Sequence, residues 1–185
     1  MLRCDRCDVG DSRRGGGVLI ALRRHLVTSH VSVNNSQNVE QVWAKIQLTG
    51  KNIFIGAAYI PPNADPQAYE QLVTSTKEIM NQANPADNVF LTGDLNCPVT
   101  WVPDSENPCL LRSIDGTTSQ VVFLDSLTSL GLSQICNIHS RNQLELIFTD
   151  LDSDFVVERA AYLLKRDSYH HVGIECTVRI NQQMP

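Results

Sequence analysis

The chain holds 185 residues, with 15 Lys+Arg against 20 Asp+Glu for a formal net charge of -5, and 42% of it is hydrophobic. That length suits one domain with a sizeable core. The apolar content excludes a disordered or low-complexity chain, no apolar run approaches the ~20 residues that cross a bilayer, and the acidic total excludes a simple electropositive coat for nucleic acid.

The start, MLRCDRCDVGDSRRGGG, has no apolar stretch before its charges, so it is not a secretory signal. Cys4, Cys7, Cys97, Cys109, Cys136 and Cys176 are then read as reduced thiols of an intracellular protein. Cys4 and Cys7 have CxxC spacing, but a structural zinc site takes four ligands and no second closely spaced Cys/His pair complements them. Arginines crowd this end (Arg3, Arg6, Arg13, Arg14, Arg23 and Arg24), which suits either a solvated sheet edge or contact with a phosphate backbone.

Gly15-Gly16-Gly17 leads into Val18–Leu22, a short apolar run that reads as a buried strand. Val27–Val33 alternates as a half-buried strand does, and so does Gln41–Leu48. Thr49–Asn52 reads as a longer turn into the apolar strand Ile53–Ile60, completing a hairpin. Pro61-Pro62 ends that strand. Asp65 followed by Pro66 predicts a helix start. The helix runs to about Asn81 on a stripe of Tyr69, Leu72, Val73, Thr76, Ile79 and Met80. Asp87–Gly93 predicts another buried strand, 97–120 a long surface loop, and Val121–Leu130 a second helix closed by Gly131. Leu144–Thr149 and Val172–Ile180 are further strands. Together these predict a layered α/β protein with a mixed sheet and two sheets packed face to face.

The chemistry concentrates in Thr92-Gly93-Asp94-Leu95-Asn96-Cys97-Pro98. If the strand's extension continues, Asp94 and Asn96 project to one side. A carboxylate there attracts Mg²⁺ or orients a water, and an amide donates to charge developing on phosphorus. Gly, Asp and Asn equally favour a plain turn. Tyr59 ends the preceding strand, Glu145 lies inside an apolar strand, and Asp167-Ser168-Tyr169-His170-His171 precedes the last strand. Polar groups gathered near several strand ends suggest one site. Trp101 suits stacking on a base or filling a core gap.

The order GGGVLIA, AAYIPPN, TGDLNCP, LELIF, DSYHH resembles the endonuclease/exonuclease/phosphatase superfamily, and within it the apurinic-type endonuclease domain of non-LTR (LINE-type) retrotransposons. The resemblance spans about Cys4 to Ile180. It implies an α/β four-layer αββα sandwich of two packed mixed sheets flanked by helices, as one domain over residues 1–180 with a 181–185 tail. It implies Mg²⁺- or Mn²⁺-dependent phosphodiester hydrolysis, DNA held by its phosphate backbone, a fused reverse transcriptase in a complete element, and nuclear residence.

Carried over residue by residue, the resemblance gives Asp94 the attacking water, Asn96 and Tyr59 the scissile phosphate, and His170 the transition-state charge. Glu145 stands where the family usually has the Asp that orients that histidine. Asp94 and Glu145 are the metal candidates. Arg13 and Arg14 are candidate DNA contacts on a separate ground, the positive charge of the arginine-rich start beside the glycines. Three departures follow. The family's first strand with its Asn and a later strand with a metal-binding Glu are not seen, which implies a truncated chain with weak or no activity. The usual Ser-Asp-His triplet is replaced by Ser168-Tyr169-His170, leaving His171 as an alternative. Glu145 adds a methylene, and misplacement of that order costs about 10²-fold in rate. A phosphatase of the same superfamily and a non-catalytic remnant are the competing readings.

Overall fold

The computed structural model describes residues 1–5, 17–33, 39–136, 138, 144–151, 154–160 and 173–179. In chain order its elements are β1 (Leu2–Asp5), β2 (Gly17–Ile20), β3 (Val27–Val31), β4 (Glu40–Leu48), β5 (Lys51–Tyr59), α1 (Pro66–Gln82), β6 (Asn88–Asp94), β7 (Trp101–Pro103), β8 (Leu111–Ser113), α2 (Thr118–Ser129), β9 (Ser133–Gln134), β10 (Glu145–Thr149), β11 (Phe155–Arg159) and β12 (Ile174–Val178). Eight strands form one mixed sheet in the order β3-β4-β5-β6-β10-β9-β8-β7, while β1-β2 and β11-β12 are separate two-stranded ladders. Within the large sheet β5 and β6 are parallel, joined through α1, and the other pairings are antiparallel.

The layers follow from side-chain alternation. On one face Phe54, Ala58, Val89, Leu91, Leu146 and Phe148 pack under Ala68, Leu72 and Ile79 of α1 and Phe123, Leu124 and Leu127 of α2. On the other, Val42 and Ala44 meet Cys4 and Ile20 of the first ladder. Ile147 meets Ile135 and Ile138, with Phe155, Val157, Ile174 and Cys176 of the second ladder packed against them. Helices, a large mixed sheet and further sheet on its opposite face are the α/β sandwich expected. Among the described residues, the second sheet layer consists of the two ladders.

α1 begins as its sequence dictates: the Asp65 carboxylate accepts from the Gln67 N–H at 2.9 Å, with Pro66 as the first helical residue. A buried chain of bonds fixes the helix to the sheet. Gln41 Nε2 donates to Ser75 Oγ at 2.8 Å, and Trp43 Nε1 donates to Gln41 Oε1 at 3.0 Å. The Trp43 ring lies across Gly56, where a Cβ would come within 2.6 Å of it.

Several elements differ from the sequence reading. The β4–β5 turn is only Thr49-Gly50, because pairing runs out to Leu48 and Lys51 and Gly50 takes a φ of +81°. β3 exposes Val27 through His30, since it is an edge strand whose pattern alone does not tell how much of it is covered. The 97–120 stretch is not all loop. It carries β7 and β8, which pair with each other, and α2 begins at Thr118 on a capping box formed by Thr117 and Gln120. β1, β9 and β11 are additional strands.

Candidate active site

One register builds the site. β5 and β6 are parallel, so their C-terminal ends share an edge of the sheet, and Tyr59 is the Cα partner of Asp94. β10 enters antiparallel at that edge and pairs its first residue, Glu145, with Asp94. On the far side Glu40, first in β4, pairs with Tyr59. Register partners project from one face of a sheet. Glu40, Tyr59, Asp94 and Glu145 therefore form a row of about 14 Å at about 4.8 Å per strand. The same alternation puts Val42 and Ile147 on this face, where the ladders pack, so the row lies between the layers. Tyr59, Asp94 and Glu145 are half-buried, and Glu40 is buried.

Glycine at 93 lets the ladder keep this alignment in a backbone conformation that a side chain would not allow. Its φ is +147°, and a Cβ there would sit 1.8 Å from the Ala58 carbonyl oxygen. Pairing continues one residue beyond the strand, with Leu95 N–H donating to Leu144 O at 3.1 Å.

Extension stops before Asn96, which corrects the expected same-side pair. Asn96 takes a φ of +43°, and its N–H donates to Asp94 Oδ1 at 3.2 Å. An Asp side chain accepting from the backbone two residues on makes a compact turn. The Asn96 amide stays at the site by another route, its Nδ2 donating to Ile60 O at 2.8 Å. Ile60 N–H in turn donates to Asp94 O at 3.0 Å. The ends of β5 and β6 are thus laced together around Asp94.

Tyr69 of α1 reaches the same loop from the helix side. Its hydroxyl donates to Asn96 O at 2.9 Å, with Leu95 O at 3.4 Å. Burial is the main cause that pushes this phenol up to about 12, so it remains an O–H donor at neutral pH. Burial likewise pushes the neighbouring Cys97 thiol up to about 12, leaving it no thiolate reactivity near neutrality.

The structure brings together Tyr59, Asp94 and Glu145 and sets Asn96 beside them. Arg13, Arg14, His170 and the alternative His171 lie outside the described residues. Trp101 packs edge-on to Phe148, with ring centroids 6.3 Å apart, against the core. Sequence reasoning passed over Glu40. The available sign was a carboxylate one residue ahead of an alternating apolar strand.

Asp94 and Glu145 offer oxygen donors one strand apart, the ligand type a hard divalent cation takes. Two carboxylates directly opposite on a sheet also repel each other, which a cation relieves. Among the described residues no group of three or more His, Cys, Asp or Glu is placed to hold a metal. Nor is any described helix long and apolar enough to cross a membrane.

Among solved structures, the endonuclease domain of TRAS1, a telomere-specific non-LTR retrotransposon, is similar over 86% of this chain and 72% of that chain, at 15% identity and a TM-score of 0.59. The human Nocturnin catalytic domain matches over 83% of this chain and 59% of that one, at 13% identity and a TM-score of 0.47. The endonuclease/exonuclease/phosphatase from Beutenbergia cavernae DSM 12333 matches over 82% and 44%, at 12% identity and a TM-score of 0.46. No curated protein matches. Residues 2–131, a span containing Glu40, Tyr59, Asp94 and Asn96, match the Endonuclease/Exonuclease/phosphatase family. The chain therefore belongs to the endonuclease/exonuclease/phosphatase family, whose members are hydrolases.

Proposed function

We propose that this chain is the DNA-nicking endonuclease domain of a non-LTR retroelement, hydrolysing a phosphodiester with Mg²⁺ or Mn²⁺ at a weak rate. The observation that carries the hydrolytic reading is the register row of Tyr59, Asp94 and Glu145 with Asn96 laced to its end. The retroelement reading rests on the wording of GGGVLIA and YIPPN in the sequence.

Each residue then has a task. Asp94 orients the attacking water and takes its proton. Asn96 gives one amide N–H to Ile60 O, and its second N–H is the donor for a phosphate oxygen. Tyr59, one strand away, contacts the phosphate or the leaving oxygen. His170 stabilises the transition state. Asp94 and Glu145 are the residues that would hold the metal, which supplies positive charge against the developing phosphorane. Arg13 and Arg14 bind flanking phosphates. In a complete element the domain is joined to a reverse transcriptase and works in the nucleus.

The test is nicking of supercoiled plasmid with Mg²⁺ and with Mn²⁺, beside release of phosphate from inositol phosphates. Weak wild-type nicking that Asp94→Ala abolishes is the expected result. Nicking that survives Asp94→Ala refutes the assignment of Asp94. Hydrolysis of inositol phosphates alone moves the chain to the phosphatases of the family, and no hydrolysis of either substrate makes it a non-catalytic member.

A further inference from the structure

We propose that Tyr69 is a positioning residue for the site: its hydroxyl, delivered from α1, holds Asn96 in the left-handed backbone conformation and so aims the Asn96 amide beside Asp94. This deepens the hydrolase reading and rests on it for its kinetic consequence only.

Asn96 carries a φ of +43°, in the left-handed region that few side-chain-bearing residues adopt and that asparagine tolerates best, so what selects it here is its set of hydrogen bonds. Three tethers meet on this residue. Its N–H goes to Asp94 Oδ1, its Nδ2 to Ile60 O, and its carbonyl accepts from Tyr69 at 2.9 Å. The first two come from the strand ends themselves. The third is the only one of the three that comes from a different layer. It therefore couples the loop to the helical face, whose position around Tyr69 is fixed independently by buried Ala68 and Leu72.

The ring of Tyr69 needs no hydroxyl to do its packing. It sits 8% exposed, 4.9 Å by centroid from Phe123. A phenylalanine would fill that space and spare the desolvation of a polar group. The hydroxyl instead meets two successive carbonyls of the loop that carries Asp94 and Asn96. Without it, a left-handed residue loses its outer anchor, and the Asn96 side chain swings with its backbone.

The experiment compares the full-length wild type with Tyr69→Phe and with Ile79→Val, which trims the same helix away from the loop. Two readouts are taken: the NMR shifts, HN–Hα coupling and hydrogen exchange of Asn96, and nicking kinetics. In Tyr69→Phe the Asn96 shifts and coupling should move toward a backbone average, with exchange about tenfold faster. Its kcat should fall about 10- to 100-fold with KM for DNA unchanged. Ile79→Val should lower the melting temperature while leaving Asn96 and kcat as in wild type. Unchanged Asn96 resonances and exchange in Tyr69→Phe overturn the proposal, as does an equal loss of kcat in Ile79→Val. A wild type that does not nick counts against the nuclease reading alone. The Asn96 resonances then still uphold or overturn the hold of Tyr69.

Discussion

Gly93→Ala perturbs the alignment of the row at its source. The added Cβ would meet the Ala58 carbonyl oxygen at 1.8 Å and the carbonyl carbon at 2.9 Å. Both are backbone atoms of the adjoining strand, so no side-chain rotation relieves the overlap. Reaching ordinary contact near ~3.3 Å takes a shift of about 1.5 Å between β5 and β6. Overpacking of that kind costs about 1–3 kcal/mol. Holding alanine at a φ of +147° adds strain of about 1–3 kcal/mol. A combined loss of about 4 kcal/mol, at about 2–4 °C per kcal/mol for this chain length, lowers the melting temperature by about 8–16 °C. The shift also separates Tyr59 from Asp94 by more than the ~1 Å that costs about 10² in rate. Circular-dichroism melts and plasmid nicking measure the two effects. A variant that melts within about 2 °C of wild type and keeps its rate would refute the requirement for glycine at this position.

Other substitutions read separate features. Burial pushes the Asp87 carboxyl up, but hydrogen bonds from Asn84 and Asn52 outweigh it and hold the group below its usual value. A lowered folded value gives stability that is present above the ordinary carboxylate pKa of about 4 and lost as pH falls through the folded value. The urea midpoint should therefore drop on acidification from about pH 5 to about pH 2, and Asp87→Asn should shrink that drop; an equal drop in both refutes the network. Thr117→Ala breaks the capping box of α2 and should cost about 1 kcal/mol. Thr117→Ser should restore most of that loss in the same melt. If Arg13 and Arg14 neutralise DNA phosphates, replacing each with Ala should flatten the plot of log affinity against log salt by about 0.9, and unchanged slopes would remove them from the interface.

Legibility in the sequence tracked how local each determinant is. α1 was readable from Asp65-Pro66 and its 3.6-residue stripe, because both cap and periodicity are local. β4, β5 and β6 were readable because their alternation or apolar runs match strands buried in the sheet. β7, β8 and β9 were not, being two or three residues long and existing only through partners distant in sequence. β1 carries Arg3 and Asp5 among its four residues, and its pairing with β2 spans the glycine segment. The capping box at Thr117 was legible and went unread, hidden by the polar stretch before it. At the site, Tyr59, Asp94 and Glu145 were recognisable as titratable groups near apolar strands. Asn96 was misplaced because strand periodicity was carried past the residue where Asp94 caps the turn. Glu40 needed the hairpin register, which depends on a two-residue turn that the sequence reading made longer.

β6 has one parallel and one antiparallel neighbour, and this decides which connections border the reaction. The exits of β5 and β6 and the entry of β10 gather around Asp94, while Asn88, at the opposite end of β6, faces Ile53, an early residue of β5. The carboxylates therefore take their spacing from the ladder beneath them, through Tyr59, Asp94 and Glu145 in register. Chain leaving two strands and entering a third frames the reaction, so what borders a bound substrate comes from distant stretches of sequence while the chassis comes from paired backbone.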